Sequence, residues 1–300
     1  MSRFEVSQYN LNSNIPLVAC NTNASNVNPT GVTSVKKDFW VANTGSSTLS
    51  HYNKKGIFLN NVTSTGPPTG IVSNCSTYFN NYSLITVTNN GLIEGYNANV
   101  NAGATVVAVN NPTAIYTGVA IHKNKLYVAN FSPTGPAVEV YDNTFTLLST
   151  FTDPNLTAIG YAPYNVVIDC KHVYVAFAKA DGIDAVAGIG LGFVDRFKLD
   201  GTHLHRFINN DPLNAPYGLL FSECGKFLYV ANRGDGKINI FSQKDGCFIK
   251  SLKDCHDNEF QLGGITGIAE YHKDIVVVAG INQENSGLLA LLKECEQCSQ

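Results

Sequence analysis

Asparagine occupies recurring places in this 300-residue chain where its side-chain oxygen could bind a cation. Three apolar runs end in the same tripeptide, Val-Ala-Asn, which places Asn43, Asn130 and Asn232 at equivalent positions. Asn165 comes just before another apolar run, and Asp181 stands in the longest irregular segment of the chain. Amide and carboxylate oxygens are the ligands that calcium prefers. These five residues are therefore the candidate ligand-binding site.

A second interpretation of the asparagines stays open. An amide carries both a donor and an acceptor, and asparagine commonly bonds its own backbone in a turn. A calcium site would also need an acidic residue facing inward, and no acid stands at an unmistakable position for that. No catalytic residue is assigned, because the chain shows no nucleophile elbow, phosphate-binding loop or dinucleotide fingerprint.

Two other patterns are typical of metal ligands but are incomplete. His203 and His205 lie two apart on a strand and so face one side, without an acidic or third histidine partner nearby in sequence. Cys295 and Cys298 have zinc-type spacing, but a zinc site needs a second pair of ligands. We expect residues 295–300 to form a tail without zinc. The eight cysteines are expected to be free thiols, since no export signal is visible.

The elements that must position these residues are clearest in residues 214–252. Four short apolar runs alternate there with turns rich in glycine and aspartate, a pattern typical of an antiparallel meander. The second run, residues 227–231, is apolar on both faces, so the sheet must be covered on two sides. Further copies of the same sheet would provide that cover, as in a propeller.

Two motifs from this stretch recur six times each, which indicates a repeat architecture. The turn into the first strand recurs at 29–32, 68–71, 116–119, 162–165, 215–218 and 265–268, and the second-strand run recurs at 39–43, 84–88, 126–130, 173–177, 228–232 and 275–279. The sequence therefore predicts an all-β fold, a six-bladed β-propeller with four-stranded blades.

The two ends of the chain are predicted to meet in one blade. The last repeat stops one strand short, while residues 4–9 and 16–19 are strand-like and precede the first repeat. An N-terminal strand that completes the last blade would close the ring and remove exposed edges. Residues 1–294 are then expected to form a single domain.

In a propeller the first strand of each blade lines the central channel. The loop before that strand and the loop after the second strand open on the same face, so the five candidate residues are expected at one mouth of the channel. Residues 179–192 open there too. Their two acids could face a ligand, or Ile183, Val186 and Ile189 could plug the channel; both interpretations stay open.

Composition excludes several classes of protein. The formal net charge is −3 and charged residues make up 14% of the chain, so the basic surface of a nucleic-acid binder is missing. No apolar run reaches 18 residues, which predicts no membrane span. The start shows no signal peptide, so we expect a cytoplasmic or virion protein, and a monomer.

The motifs resemble one known family in their order along almost the whole chain. They include Asn28-Pro29-Thr30-Gly31, Leu126-Tyr127-Val128-Ala129-Asn130, Gly160-Tyr161-Ala162-Pro163-Tyr164-Asn165 and Asn214-Ala215-Pro216-Tyr217-Gly218. This succession is similar to the uncharacterised β-propeller family associated with PEP-CTERM sorting signals in bacteria, a relative of the six-bladed NHL-repeat propellers. The resemblance implies the fold and no established activity. The export signal and sorting tail of that family are not seen, and heavy use of asparagine suggests a giant-virus member.

Three functional hypotheses follow. The preferred one is a non-catalytic binding or virion-associated structural protein that presents loops around its channel to a partner, either a protein or a small polar ligand. The alternative is a calcium-dependent lactonase-like hydrolase, because the related six-bladed lactonases hold calcium with asparagine and acidic residues on this face. The third is a receptor for a small polar molecule at the channel mouth.

Overall fold

The computed structural model describes residues 4–7, 27–182, 184–254, 257–271, 274–281 and 286–294. These residues form six antiparallel sheets whose main path in each case contains four strands. The prediction of a six-bladed, all-β propeller is confirmed. In the part of the chain so described, no helix is long and apolar enough to span a membrane.

Blades one to five run in chain order from the channel-lining first strand to the outer fourth strand. The chain begins with β1 (Phe4–Ser7) and continues into blade one, β2 (Pro29–Val35), β3 (Asp38–Asn43), β4 (Thr48–Tyr52) and β5 (Phe58–Thr63). Blade two contains β6 (Pro68–Ser73), a 3₁₀ turn (Phe79–Asn81), β7 (Leu84–Thr88), β8 (Leu92–Tyr96) and β9 (Val106–Asn110). Blade three contains β10 (Tyr116–His122), β11 (Lys125–Asn130), β12 (Ala137–Asp142) and β13 (Leu147–Phe151).

The second half repeats this plan. Helix α1 (Pro154–Ala158) precedes blade four, β14 (Tyr161–Ile168), β15 (His172–Asp181), the short β16 (Asp184–Ala185) paired to β15, β17 (Gly192–Lys198) and β18 (His203–Asn209). Blade five contains β19 (Pro216–Phe221), β20 (Phe227–Asn232), β21 (Ile238–Ser242) and β22 (Phe248–Ser251). Blade six contains β23 (Ile265–Tyr271), β24 (Asp274–Ile281), β25 (Ser286–Glu294) and, as its outer strand, β1.

The pairing of β1 with β25 closes the ring. The two strands are antiparallel, with Phe4 opposite Glu294 and Ser7 opposite Leu291. The prediction that an N-terminal strand completes the last blade is confirmed. The second strand-like segment, residues 16–19, lies outside the described residues.

The second strands are apolar on both faces because each is packed between two neighbouring blades. In β11, Leu126 and Val128 belong to the core shared with blade two. Tyr127 and Ala129 belong to the core shared with blade four. All four side chains are fully buried, and burial of each large apolar side chain contributes about 1.5–3 kcal/mol.

Glycine occupies one level of the channel wall in five blades because the first strands approach closely there. A Cβ on Gly70 would lie 3.1 Å from the Cα of Gly118, and one on Gly267 would lie 2.9 Å from the backbone nitrogen of Val32. Such contacts leave no room for a side chain. Blade four has Asn165 at this level.

Candidate ligand-binding channel

The central channel holds a cavity of about 370 Å³, whose wall is built by the first strands of all six blades. The first strands are buried at their beginning and partly exposed at their end. In β6, for example, Pro68–Ile71 are buried whereas Val72 and Ser73 are partly exposed, and β19 has the same pattern. The channel is therefore closed at the face where first strands begin and open at the face where they end.

Tyr217 closes the channel from blade five. Its hydroxyl donates to the carbonyl of Thr117 at 2.6 Å and to that of Thr69 at 3.1 Å, and the residue is 4% exposed. The ladder between β19 and β20 shifts register between Pro216 and Gly218, and such bulges redirect the intervening side chain. Burial raises the pKa of the Tyr217 phenol, so it stays a proton donor.

Threonine hydroxyls join successive blades around the same closed end. Each donates to the carbonyl of the residue that begins the next blade's first strand. These bonds run from Thr266 to Pro29 (2.9 Å), from Thr30 to Pro68 (3.1 Å) and from Thr69 to Tyr116 (2.6 Å). The polar groups at this end of the wall are thus largely paired with one another.

An ion pair covers Tyr217 on the outer side. The ring of Tyr164 packs edge-on against that of Tyr217, with centroids 4.7 Å apart. Arg233 donates to the Tyr164 hydroxyl at 3.3 Å and forms a bidentate pair with Asp184 at 2.7 and 3.2 Å. Asp184 lies within residues 179–192, the segment expected to open at this mouth. The Asp184 carboxylate is therefore already paired with Arg233 at this mouth.

The candidate asparagines have different hydrogen-bond partners. The side-chain amide nitrogens of Asn43 and Asn130 donate at 2.8 Å to the third strands of their own blades, to Ser50 Oγ and Glu139 Oε1. Asn232 donates to the carbonyl of Pro212 at 3.0 Å.

The other two candidates lie elsewhere. Asn165 lines the channel and donates to the carbonyl of Tyr217 at 2.7 Å, and Asp181 is exposed at the end of β15. Of the five, Asn165 alone contributes to the described channel wall. Their joint role in ligand binding stays a prediction.

Calcium binding by these residues stays a prediction. The side-chain oxygens of Asn43 and Asn232 are buried without a hydrogen-bond partner among the described residues, and calcium needs six to eight oxygens around one point. Asp184, a carboxylate over the closed end, is paired with Arg233. Cys295 and Cys298, considered for zinc, lie outside the described residues.

The open end of the channel has a different chemical character. Ser73 and Glu270 lie along its rim, and burial, with a smaller effect of Glu223, raises the pKa of Glu270.

Cys75, Cys170 and Cys224 lie on loops between first and second strands, and Cys247 lies on a turn between a third and a fourth strand. Both kinds of connection are on the open face, and all four thiols are free and exposed.

Sequence reasoning missed the buried polar position in the third strands. The residues opposite the middle of the second strand are Ser50, Glu94, Glu139, Asp195 and Asn239 in blades one to five, all at most 5% exposed. Glu94 accepts from Ser64 at 2.6 Å and from Thr105 at 2.7 Å, joining the loop before its blade to the residue that precedes its own fourth strand. A polar residue inside each of these five third-strand runs, acidic or amide in blades two to five, was the signal that sequence reasoning could have used.

Asp195 also supplies the acidic partner that His203 lacked in sequence. Its carboxylate lies 3.2 Å from His203 Nε2, and these two residues cluster with Asp153. Arg206 bonds both carboxylates, including Asp153 at 2.8 Å, so a cation already lies between them. Burial raises the pKa of Asp195 to about 6 despite the neighbouring Arg206.

Comparisons with known proteins agree with the fold, and the relatives that they find are uncharacterized. No family model matches the chain. Two uncharacterized proteins of Acanthamoeba polyphaga mimivirus are each 28% identical; the alignments cover 90% and 93% of this chain and 76% and 83% of the relatives. A third mimivirus protein is 33% identical over 62% of this chain and 37% of its own length. These relatives support a giant-virus β-propeller.

Solved structures share the architecture at low sequence identity. The luciferin-regenerating enzyme has a TM-score of 0.60 at 13% identity, covering 89% of this chain and 91% of that one. Virginiamycin B lyase from Staphylococcus aureus has a TM-score of 0.58 at 12% identity, covering 89% and 85%. Such identities show the fold alone. The likeness to the PEP-CTERM-associated and NHL-repeat families stays a prediction.

Proposed function

We propose that this chain is a non-catalytic binding protein of giant-virus type, whose ring presents the loops of its open channel face to a protein partner or a small polar ligand. The observation that carries the proposal is the bond from Tyr217 across the channel to Thr117 and Thr69. The Tyr217 side chain therefore occupies the end of the channel at which the lactonase-like alternative would place its calcium ion.

The closed end offers little that could act on a substrate. Its threonine and tyrosine hydroxyls already donate to backbone carbonyls, and Asp184, one of its carboxylates, is paired with Arg233. Glu94, Glu139 and Asp195 are buried inside blades, where each binds neighbouring strands. Paired, buried polar groups make a framework rigid, which suits the presentation of loops.

The open end has the size and access that binding requires. A cavity of about 370 Å³ falls within the range of ordinary small-ligand pockets. Loops from several blades surround it and would give a protein partner an extended surface. We further propose that residues 1–294 form one monomeric domain that resides in the cytoplasm or the virion.

Metal content and turnover test the non-catalytic assignment. The purified protein should contain no stoichiometric calcium by elemental analysis and should hydrolyse no ester or lactone, with or without added calcium. Calcium-dependent lactone turnover that is lost on chelation would instead support the lactonase-like alternative.

Cross-linking tests the choice of face. A photoactivatable linker on Cys170 or Cys224, each kept in turn as the single cysteine of a variant whose other cysteines are serine, should capture the binding partner at the open face. The matched control is an Asp181→Cys variant in which all eight original cysteines are serine, because Asp181 ends a second strand on the opposite face. Equal capture from both faces would contradict the proposal.

A further inference from the structure

A second cavity, of about 460 Å³, lies between blades four and five on the open face. Blade four contributes Asp169, His172, Tyr174 and Arg196 to its wall. Blade five contributes Lys226 and Lys244, from two neighbouring turns. We call this cavity the basic groove. It is separate from the central channel, with which it shares none of its lining residues.

Arg196 is the central feature of the basic groove. Its Nε atom is buried and has no hydrogen-bond partner among the described residues. The guanidinium lies 5.6 Å from the centre of the Phe207 ring, a contact that satisfies no N–H donor, and it has a side-chain hydrogen bond with Tyr174. A buried donor left unpaired is costly, and an arginine fork is suited to the oxygens of an anion.

Charge in the basic groove is strongly one-sided. Lys226 and Lys244 have no ion pair among the mapped salt bridges of the described chain. The carboxylate that lines the groove, Asp169, already accepts from the backbone nitrogens of Lys171 and His172 at 2.6 and 2.7 Å and from the Tyr174 hydroxyl at 3.2 Å. Three cations therefore face one occupied carboxylate, on a chain whose formal net charge is −3.

The pKa of His205 is lowered, first by burial and then by the charge of Arg196. The Arg196 charge, which disfavours protonation of this imidazole, would favour a nearby anion.

We propose that the basic groove binds a phosphate or sulfate group carried by a small polar molecule. Arg196 donates to two oxygens of the anion from the floor of the groove, while Lys226 and Lys244 neutralise its remaining charge from the rim. The cavity leaves room for a sugar-sized body beside the anionic group.

Isothermal titration calorimetry with inorganic phosphate, inorganic sulfate and ribose 5-phosphate at low ionic strength tests the proposal. The folded protein should bind at least one of the three saturably, and more weakly as sodium chloride is added. Tighter binding of ribose 5-phosphate than of free phosphate would identify a phosphate ester as the ligand class, whereas a preference for sulfate would identify a sulfate ester. Absence of saturable binding of all three would overturn the proposal.

Substitutions locate the site. Lys226→Ala with Lys244→Ala changes two exposed side chains and should weaken binding about tenfold, equivalent to about 1.4 kcal/mol; Arg196→Gln should weaken it at least as much. Lys54→Ala with Lys55→Ala is the matched control, because those lysines lie on the corresponding turn between the third and fourth strands of blade one. Unchanged affinity in the Lys226/Lys244 variant would overturn the proposal. Because these residues lie outside the central channel, the affinities of these variants do not test the function proposed for the channel.

Discussion

The hydroxyl of Tyr217 in blade five donates a 2.6 Å hydrogen bond to the carbonyl of Thr117 in blade three. These blades are separated along the ring by blade four, so the bond crosses the channel rather than following its wall. A second bond, to Thr69, reaches blade two. One side chain therefore connects three blades at the closed end.

Removing this hydroxyl should destabilise the protein. Tyr217→Phe keeps the ring and its packing against Tyr164 but leaves two buried carbonyls without their donor. The expected loss in the free energy of unfolding is about 1–3 kcal/mol, measured by urea denaturation. Tyr78→Phe, at an exposed tyrosine, is the control and should have no effect. Equal stability of the two variants would show that the cross-channel bond contributes nothing.

The glycine level of the channel wall gives a second prediction. Gly267→Val would place a Cβ 2.7 Å from Val278 and 2.9 Å from the backbone of Val32, so the blades must move apart. Overpacking usually costs about 1–3 kcal/mol. We expect the free energy of unfolding to fall by an amount at or above the upper end of that range.

A matched control comes from the same loop region. A Cβ on Gly263 meets no atom within 4 Å, so Gly263→Val should leave the thermal midpoint nearly unchanged. If both variants melted alike, close approach would not be the reason for glycine at position 267.

The turn and strand pattern of the sequence predicted the blades because local chemistry determines them. Residues 227–231 were expected as a strand, and β20 spans Phe227–Asn232. The sequence also placed Asn165 at the level of the five glycines, because its Ala-Pro-Tyr-Asn turn aligns with the glycine-containing turns that begin the first strands of the other blades.

The direction of individual side chains could not be predicted in the same way. Asn43 lies opposite Thr48 at the end of its ladder, and this register directs its amide to its own blade. Tyr217 stands where blades one to three carry threonine, and only the three-dimensional ring shows that its longer side chain reaches across. His203 and Asp195 come together on the hairpin of β17 and β18, which contains two register shifts. Counting residues along the two strands therefore does not predict that they are neighbours.

Asp195 predicts a pH dependence of stability. Its pKa is about 6 in the folded protein against an ordinary value of 3.8, so folding favours the protonated form. The contribution of Asp195 to the stability of the folded protein is fully present below about pH 4 and is lost as pH rises through about 6. Asp195→Asn cannot ionise. Relative to the original protein, its free energy of unfolding should therefore rise by about 1–3 kcal/mol between pH 4 and pH 7.

The comparison of the two proteins cancels groups that titrate far from Asp195. Asp153 has a lowered pKa, shares Arg206 with Asp195 and contributes in the opposite sense. A pH-independent difference between Asp195→Asn and the original protein would contradict the prediction.

Closure of the ring predicts the effect of an N-terminal deletion. Removing residues 1–20 takes away β1 and leaves the outer edge of β25 unpaired, and exposed sheet edges promote association. Size-exclusion chromatography with light scattering should show aggregates, whereas a chain that lacks residues 1–3 should remain as the original protein does. A soluble deletion variant with an unchanged melting temperature would contradict strand exchange between the two ends.

The bond from Thr266 to Pro29 joins blade six to blade one, as equivalent bonds join blades one to two and two to three. In a linear array of repeats, the outermost unit has one neighbour and frays first. This circular arrangement has no outermost unit, so opening any blade breaks contacts on both of its sides. Amide hydrogen exchange in the second strands should accordingly proceed at one shared free energy in all six blades, and the protein should lose its structure as a whole rather than in stages.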